Sequence, residues 1–427
     1  MAANYQVARV GDFAESISDT HPMDEERLVF LNTSDVLGGH ILHRTYTAVK
    51  DWPGQAKKSI RRHDILFSEI RPANGRWAYV DEKADDFVVS TKLMVIRTRS
   101  ERLLPRYLYH FLTSTQITKW LQHLAESRSG TFPQITFDQV ASLEIPLPSI
   151  AEQAAIADAL DTLGGKIDLN RRMNETLEAV ARTLFNSWFV EFDPVRAKAE
   201  GCDPGLPKHV ADLFPNQLGT DGVPVGWTAA PLPELIEVNP PRPLRKGETA
   251  PYLDMANMPT QGHMPDAWID RPFGSGMRFV NGDTLVARIT PCLENGKTAW
   301  VAFLHEGQTG WGSTEFIVLR PKAGIPAVFA YCLARSEEFR QFAIQKMTGS
   351  SGRQRVPSES LSRFMLAKPP EQVFRVFGRL VEPLFARATA NAMSSRTLAG
   401  IRDALLPKLL SGELRIPHVE RLIRRVT

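Results

Sequence analysis

At 427 residues the chain is long for one ordinary domain and comfortable for two or three. An apolar fraction of 43% is that of folded domains, no apolar run approaches the ~18 residues of a membrane span, and Met1–Asp19 lacks the apolar core of a signal peptide, so a cytoplasmic location without a membrane partner is expected. The net charge of +3 is too mild to mark a polyanion binder by itself, which leaves local clusters: Lys57, Lys58, Arg61 and Arg62; Arg242, Arg245 and Lys246; Arg353 and Arg355.

The chain opens with short runs of alternating apolar residues, the pattern of half-buried strands. One run, Asp64–Pro72, leads to an Asn74-Gly75 turn followed by Arg76 and Trp77, and another spans Ser90–Arg97. A helical stretch (106–124) comes next, then a Ser129-Gly130 loop and a Pro-rich stop at Ile145–Pro148. Ser149-Ile150-Ala151-Glu152 is a capping box, in which hydroxyl and carboxylate satisfy free amides of a first helical turn. From there Ile156, Leu160, Leu163, Ile167, Asn170, Asn174, Leu177, Ala181, Leu184 and Trp188 recur at alternating four and three, a coiled-coil seam broken by two asparagines. Residues 193–225, with five prolines and several glycines, read as a linker without its own core.

The order then begins again. Asp283–Pro291 echoes Asp64–Pro72 at an offset of 219, and Asn295-Gly296, Lys297 and Trp300 echo Asn74-Gly75, Arg76 and Trp77. Ser313–Arg320 echoes Ser90–Arg97 at 223, Pro326–Ala330 echoes Pro105–Tyr109 at 221, and Ser351-Gly352 echoes Ser129-Gly130 at 222. A second helical stretch (327–347) and a Pro-rich stop (Ala367–Pro370) precede a second seam, 221 residues after the first: Phe377, Val381, Leu384, Ala388, Asn391, Ser395, Leu398, Arg402, Leu405 and Leu409. Asn170 and Asn391 therefore take equivalent places, where polar seam residues fix register. Pro383 should kink the second helix.

Matching blocks in one order at a nearly constant offset mark a duplicated unit. The fold expected is mixed α/β (α+β): two duplicated globular domains joined by two long antiparallel coiled-coil helices, each a rod of roughly 60 Å. The boundaries fall at 1–148 (first domain), 149–192 (first helix), 193–225 (linker), 226–369 (second domain), 370–414 (second helix) and 415–427 (tail).

Several segments are similar to those of type I restriction–modification specificity subunits. They are Trp188–Lys198, Ser149–Ile156, Asn239–Arg242 with Ala250–Met255, and Leu405–Leu414, so the resemblance covers nearly the whole chain. It implies two target-recognition domains, each reading one half of a split site in double-stranded DNA, with the helical pair setting the gap. It also implies two methyltransferase subunits docked on the helices, restriction subunits attached through the complex, and adenine methylation with S-adenosylmethionine held by the partner. No cofactor is expected in this chain. A related methyltransferase-only or type II-like system would use a similar subunit.

Catalysis by the chain itself is not expected. Asn239-Pro240-Pro241 resembles the motif with which adenine methyltransferases grip their target amine, but Arg242 stands where an aromatic should stack on the flipped base, and a Pro-rich turn accounts for it. There is no G-x-x-x-x-G-K-[ST] loop for ATP and no H-E-x-x-H pair. Asp24-Glu25-Glu26 reads as a solvated turn. Cys202, Cys292 and Cys332 form no metal or disulfide pattern and read as buried small apolar residues. A coiled-coil adaptor that never touches DNA would explain the helices but not the duplicated, turn-rich domains.

Arginine pairs with guanine, and Asn or Gln with adenine, when side chains reach base edges. Candidates in equivalent loops are Arg71, Asn74, Arg76, Arg128, Ser129, Thr131 and Gln134 in the first unit, and Arg288, Asn295, Lys297, Arg353, Gln354 and Arg355 in the second. The competing reading is that the Asn-Gly pairs make hairpin turns and the arginines brace acidic neighbours.

Overall fold

A computed structural model describes residues 5–52, 56–128, 132–265, 267–350 and 352–415. The chain forms two compact units, one running to Ile167 and resuming at Arg396, the other spanning Asp168–Ser395. Each unit thus takes about half of each of the two long helices, rather than leaving them outside as the boundaries drawn from sequence do. Among the described residues no helix is long and apolar enough to cross a membrane.

The first unit contains β1 (Gln6–Arg9), β2 (Ala14–Ile17), β3 (Arg27–Leu31), β4 (Tyr46–Ala48), β5 (Ala56–Ser59), β6 (Ile65–Ser68), β7 (Trp77–Tyr79), β8 (Phe87–Ser90), β9 (Leu93–Thr98), α1 (Pro105–Leu112), α2 (Thr115–Arg128), β10 (Glu144–Leu147) and the start of α3 (Ile150–Phe189). Strands β2-β9-β6-β7 make an antiparallel sheet, β4-β3-β8-β5 make a second with β3 and β8 parallel, and β1 pairs with β10. Strand alternation decides which core each side chain enters. Ile65 and Phe67 of β6 pack with Tyr107, Leu108 and the seam residues Ile156, Leu160 and Leu163, while Leu66 faces the other way, toward Val29 and Val89 of the second sheet. A strand covered on both faces reads as a continuous apolar run, which is why Ile-Leu-Phe stands here.

The second unit repeats this plan. It holds α4 (Asp193–Ala199), α5 (Lys208–Ala211), β11 (Thr228–Pro231), β12 (Ile236–Val238), β13 (Thr249–Leu253), β14 (Ile269–Pro272), β15 (Met277–Phe279), β16 (Thr284–Ala287), β17 (Thr298–Trp300), β18 (Gly310–Gly312), β19 (Phe316–Pro321), α6 (Ala327–Arg335), α7 (Glu337–Gln345), β20 (Met365–Lys368) and most of α8 (Glu371–Leu410). The sheets are β12-β19-β16-β17 and β14-β13-β18-β15, again with one parallel pair, β13 and β18, and β11 pairs with β20.

Each long helix has 40 residues, about 60 Å at 1.5 Å per residue. Every residue of both seams is buried or half-buried. Inside the second unit the helices run antiparallel, with Phe185 and Trp188 of α3 against Phe377 of α8. Inside the first, Leu398, Leu405 and Leu409 share a core with Ile156, Leu160 and Leu163. Helix α8 runs unbroken past Pro383, which lies on its exposed face and does not end it.

Three readings from the sequence need amendment. Residues 193–225, read as a linker without its own core, do more than connect: Val195, Val210 and Phe214 are buried with Trp188 and Trp227 in the second unit's core. The two helical stretches are each broken in two, at Ser114 and Ser336, whose hydroxyls accept the N–H groups of Ile117 and Phe339 and so cap new helices. Cys332 is buried, but Cys202 is exposed.

Candidate nucleic-acid interface

Three chain segments meet just beyond β6. The Glu69 N–H donates to the Lys92 carbonyl (3.0 Å), the Glu69 carbonyl accepts from Ile135 N–H (2.9 Å), and Arg71 N–H donates to the Pro133 carbonyl (3.1 Å). Beyond β16 the same bonds recur: Arg288 N–H to the Glu315 carbonyl (2.9 Å), Val356 N–H to the Arg288 carbonyl (2.9 Å), and Thr290 N–H to the Gln354 carbonyl (3.0 Å). The loop after the strand and the loop after the helix are therefore zipped together in both units. Candidate residues that are far apart in sequence come side by side.

Within this frame the candidates differ in how far their side chains are already committed. Arg71, Asn74, Asn295 and Arg353 are exposed, held through their backbones and with side chains open to solvent. Arg71 has a φ of 44°, a left-handed conformation that costs a non-glycine residue about 1 kcal/mol and persists only where surrounding bonds impose it. Arg76, by contrast, donates from Nη1 to the carbonyls of Ser34 (2.7 Å) and Val36 (3.3 Å), and Lys297 from Nζ to those of Met255 (2.6 Å) and Ala256 (3.3 Å). These two brace their loops. The Gln354 carbonyl accepts from both N–H and Oγ1 of Thr290. Arg128 ends α2, but its side chain, Ser129 and Thr131 lie outside the described residues.

Gln134, Arg288 and Arg355 stand at the junction itself. Lys92 Nζ reaches Gln134 Oε1 (3.3 Å) and Glu69 Oε2 (3.4 Å). Arg355 Nε donates to both Glu315 oxygens (2.8 and 2.9 Å), and Arg288 Nε is buried without an acceptor among the described residues. A cleft of about 530 Å³ adjoins the first junction, lined by Lys58, Glu69, Lys92, Phe132 and Gln134 among others. Burial pushes the Lys58 ammonium down, although Glu69 opposes this, and its Nζ is held by the carbonyls of Thr91 and Leu93.

Behind the junctions lies a second repeated pair. Fully buried Asp64 takes a two-pronged bond from Arg97 (2.7 Å each) and Arg61 N–H (2.8 Å). Equally buried Asp283 takes Arg320, Arg242 and Val280 N–H. Arg242 is thus committed to a structural anion. Asn239 is also occupied: its N–H donates to the Val318 carbonyl at 2.7 Å and its Oδ1 accepts from Val318 N–H at 2.9 Å.

The helical pair is tied by its asparagines. Asn170 Nδ2 donates to Ser395 Oγ (3.2 Å) and reaches the Asn391 carbonyl (3.4 Å), while Asn391 Nδ2 donates to Asn174 Oδ1 (3.0 Å). Eight residues further along α3, Glu178 accepts from Tyr331 Oη (2.8 Å) and bonds His263 Nδ1 (2.8 Å), fixing the helix to the second unit. Burial pushes the Tyr331 hydroxyl far up, so it donates. Sequence reading missed this triad because its members share no motif.

Comparison with known proteins gives this geometry a family. The family described as "Type I restriction modification DNA specificity domain" matches residues 3–179. The type I restriction enzyme HindI specificity subunit of Haemophilus influenzae is 31% identical over an alignment of 454 residues, covering 95% of this chain and 98% of that protein. The MjaIX specificity subunit of Methanocaldococcus jannaschii is 25% identical over 337 residues, covering 74% of this chain and 71% of that one. The crystal structure of a type I restriction-modification system S subunit from M. genitalium shares the fold, with a TM-score of 0.53, 16% identity, and coverage of 95% of this chain and 96% of that chain. The chain belongs to the type I restriction enzyme specificity subunits.

Proposed function

We propose that each unit reads one half of a bipartite DNA target, while the pair of long helices sets the gap between the halves and docks two methyltransferase subunits. Restriction subunits join through that complex, and adenine is methylated with S-adenosylmethionine bound by the methyltransferase. This chain supplies recognition and no chemical step. The observation that carries the reading is the repeated loop junction: one backbone frame, bonded alike in both units, presents different polar side chains in each. A frame kept while its side chains differ is what two readers of different sequences need, since phosphate contacts position a protein and base-edge contacts specify. An adaptor has no use for it. The finer architecture proposed is two duplicated recognition domains joined by an antiparallel coiled coil.

The test is to express the methyltransferase partner with and without this chain in a host lacking adenine methylation. Sequence-specific methylation should appear only with the chain. Arg353→Ala in the assembled complex should weaken binding to the target by about 1–3 kcal/mol if the guanidinium reads a base. Unchanged affinity together with an unchanged motif would remove Arg353 from the interface, and methylation independent of the chain would contradict the reading.

A further inference from the structure

The three side chains at each loop junction occupy equivalent backbone positions, yet two of them reverse charge and the third changes from an amide to a guanidinium. The first unit has Glu69, Lys92 and Gln134 where the second has Arg288, Glu315 and Arg355. Ile70 bridges Gln134 and Ile289 bridges Arg355, which fixes the equivalence by backbone pairing and not merely by counting. Both junctions remain accessible, with Lys92 and Arg355 49% and 44% exposed. Acidic partners hold them from one side, since Glu69 and Glu315 are 23% and 24% exposed.

We infer that this three-residue cluster is the position at which the two units choose different bases, an amide with a lysine in the first and a fixed guanidinium in the second. The inference rests on the proposed DNA-reading function. Glu315 grips Arg355 through Nε and Nη2 (2.8–2.9 Å) and the Arg353 carbonyl accepts from Nη1 (3.3 Å), which together orient the guanidinium plane and leave one N–H on each of Nη1 and Nη2 for a base. An arginine held in this way suits the two acceptors on the major-groove edge of guanine, with less side-chain freedom to lose on binding. In the first unit Lys92 donates to Gln134 Oε1 and so settles which end of the amide is which, leaving the N–H donors of Nε2 and the second lone pair of Oε1 for a base. That pair matches adenine. Glu69, Lys92 and Glu315 act as positioning residues, and Gln134 and Arg355 as the readers.

The experiment transplants one cluster. The chain carrying Glu69→Arg, Lys92→Glu and Gln134→Arg is assembled with its methyltransferase, and methylated adenines are mapped beside the wild-type complex. One position in one half of the motif should change from adenine to guanine, with the other half untouched. Discrimination at that position should be roughly 5- to 150-fold, the range for one bidentate pair. A variant complex that assembles but methylates the unaltered motif, or methylates nothing in a random-sequence library, overturns the inference. Should the triple variant fail to assemble, Arg355→Gln and Gln134→Ala singly must each relax one position, in opposite halves; an unchanged motif for both overturns it equally. A wild-type complex that yields no bipartite motif would instead sink the underlying function.

Discussion

Individual side chains divide into those committed to the fold and those left for a partner. Asp161 belongs to the first group, with Arg106 Nε and His110 Nε2 at 2.7 and 2.8 Å. Burial would push its carboxyl up, but the bonds and charges of His110 and Arg106 outweigh burial and hold it below the usual range. A carboxyl whose folded pKa is lowered contributes stability above its unfolded pKa, about 3.9, and loses it as pH falls through the folded value. Asp161→Asn should therefore be less stable than wild type at pH 7, with the two converging below about pH 4; denaturation midpoints that stay equally far apart at acid pH would contradict this. The sequence could nominate arginines for DNA, but it could not say which were already spent. Arg76 and Lys297 looked as available as Arg71 and Arg353, because the carbonyls that capture them lie about 40 residues away in the chain. Charge reversal at Glu69/Arg288 and Lys92/Glu315 was present within the aligned repeats, but its meaning needed the backbone bonds that bring those segments together.

At the level of elements, the long helices were the most legible part. Their seams are local patterns, and all twenty positions are at least half-buried. The capping box is also formed, with Ser149 Oγ accepting Glu152 N–H at 3.3 Å and Glu152 Oε2 accepting Ser149 N–H at 3.2 Å. The parallel pairing of β3 with β8 and of β13 with β18 was not legible, because strands more than fifty residues apart carry no local mark of their partner. The same holds for residues 193–225, whose prolines read as a linker without its own core while Val195 and Phe214 pack into the second unit's core. The asparagines supply a test of the helices as a spacer. Adding four residues after Asn170 and four before Asn391 keeps the antiparallel register and lengthens each helix by about 6 Å. The unspecified gap should grow by about one or two base pairs at 3.4 Å each, read from the methylated motif. An intact complex with an unaltered gap would remove the helices from that role.

For the whole molecule, the duplication was visible from sequence as matched blocks, and among the described residues both four-stranded sheets and the short strand pair recur in the same order, with one parallel pair of strands in each unit. Under the proposed function, that economy would let one chain address two different DNA sequences, with the frame reused and the side chains at its junctions changed. The measurement that bears most directly on this account is the map of methylated adenines made by the wild-type complex in a host with no adenine methylation of its own. The account predicts two short specified blocks of different sequence separated by a fixed run of unspecified bases, with one methylated adenine in each block. A single continuous motif, or methylation without sequence preference from a fully assembled complex, would contradict it.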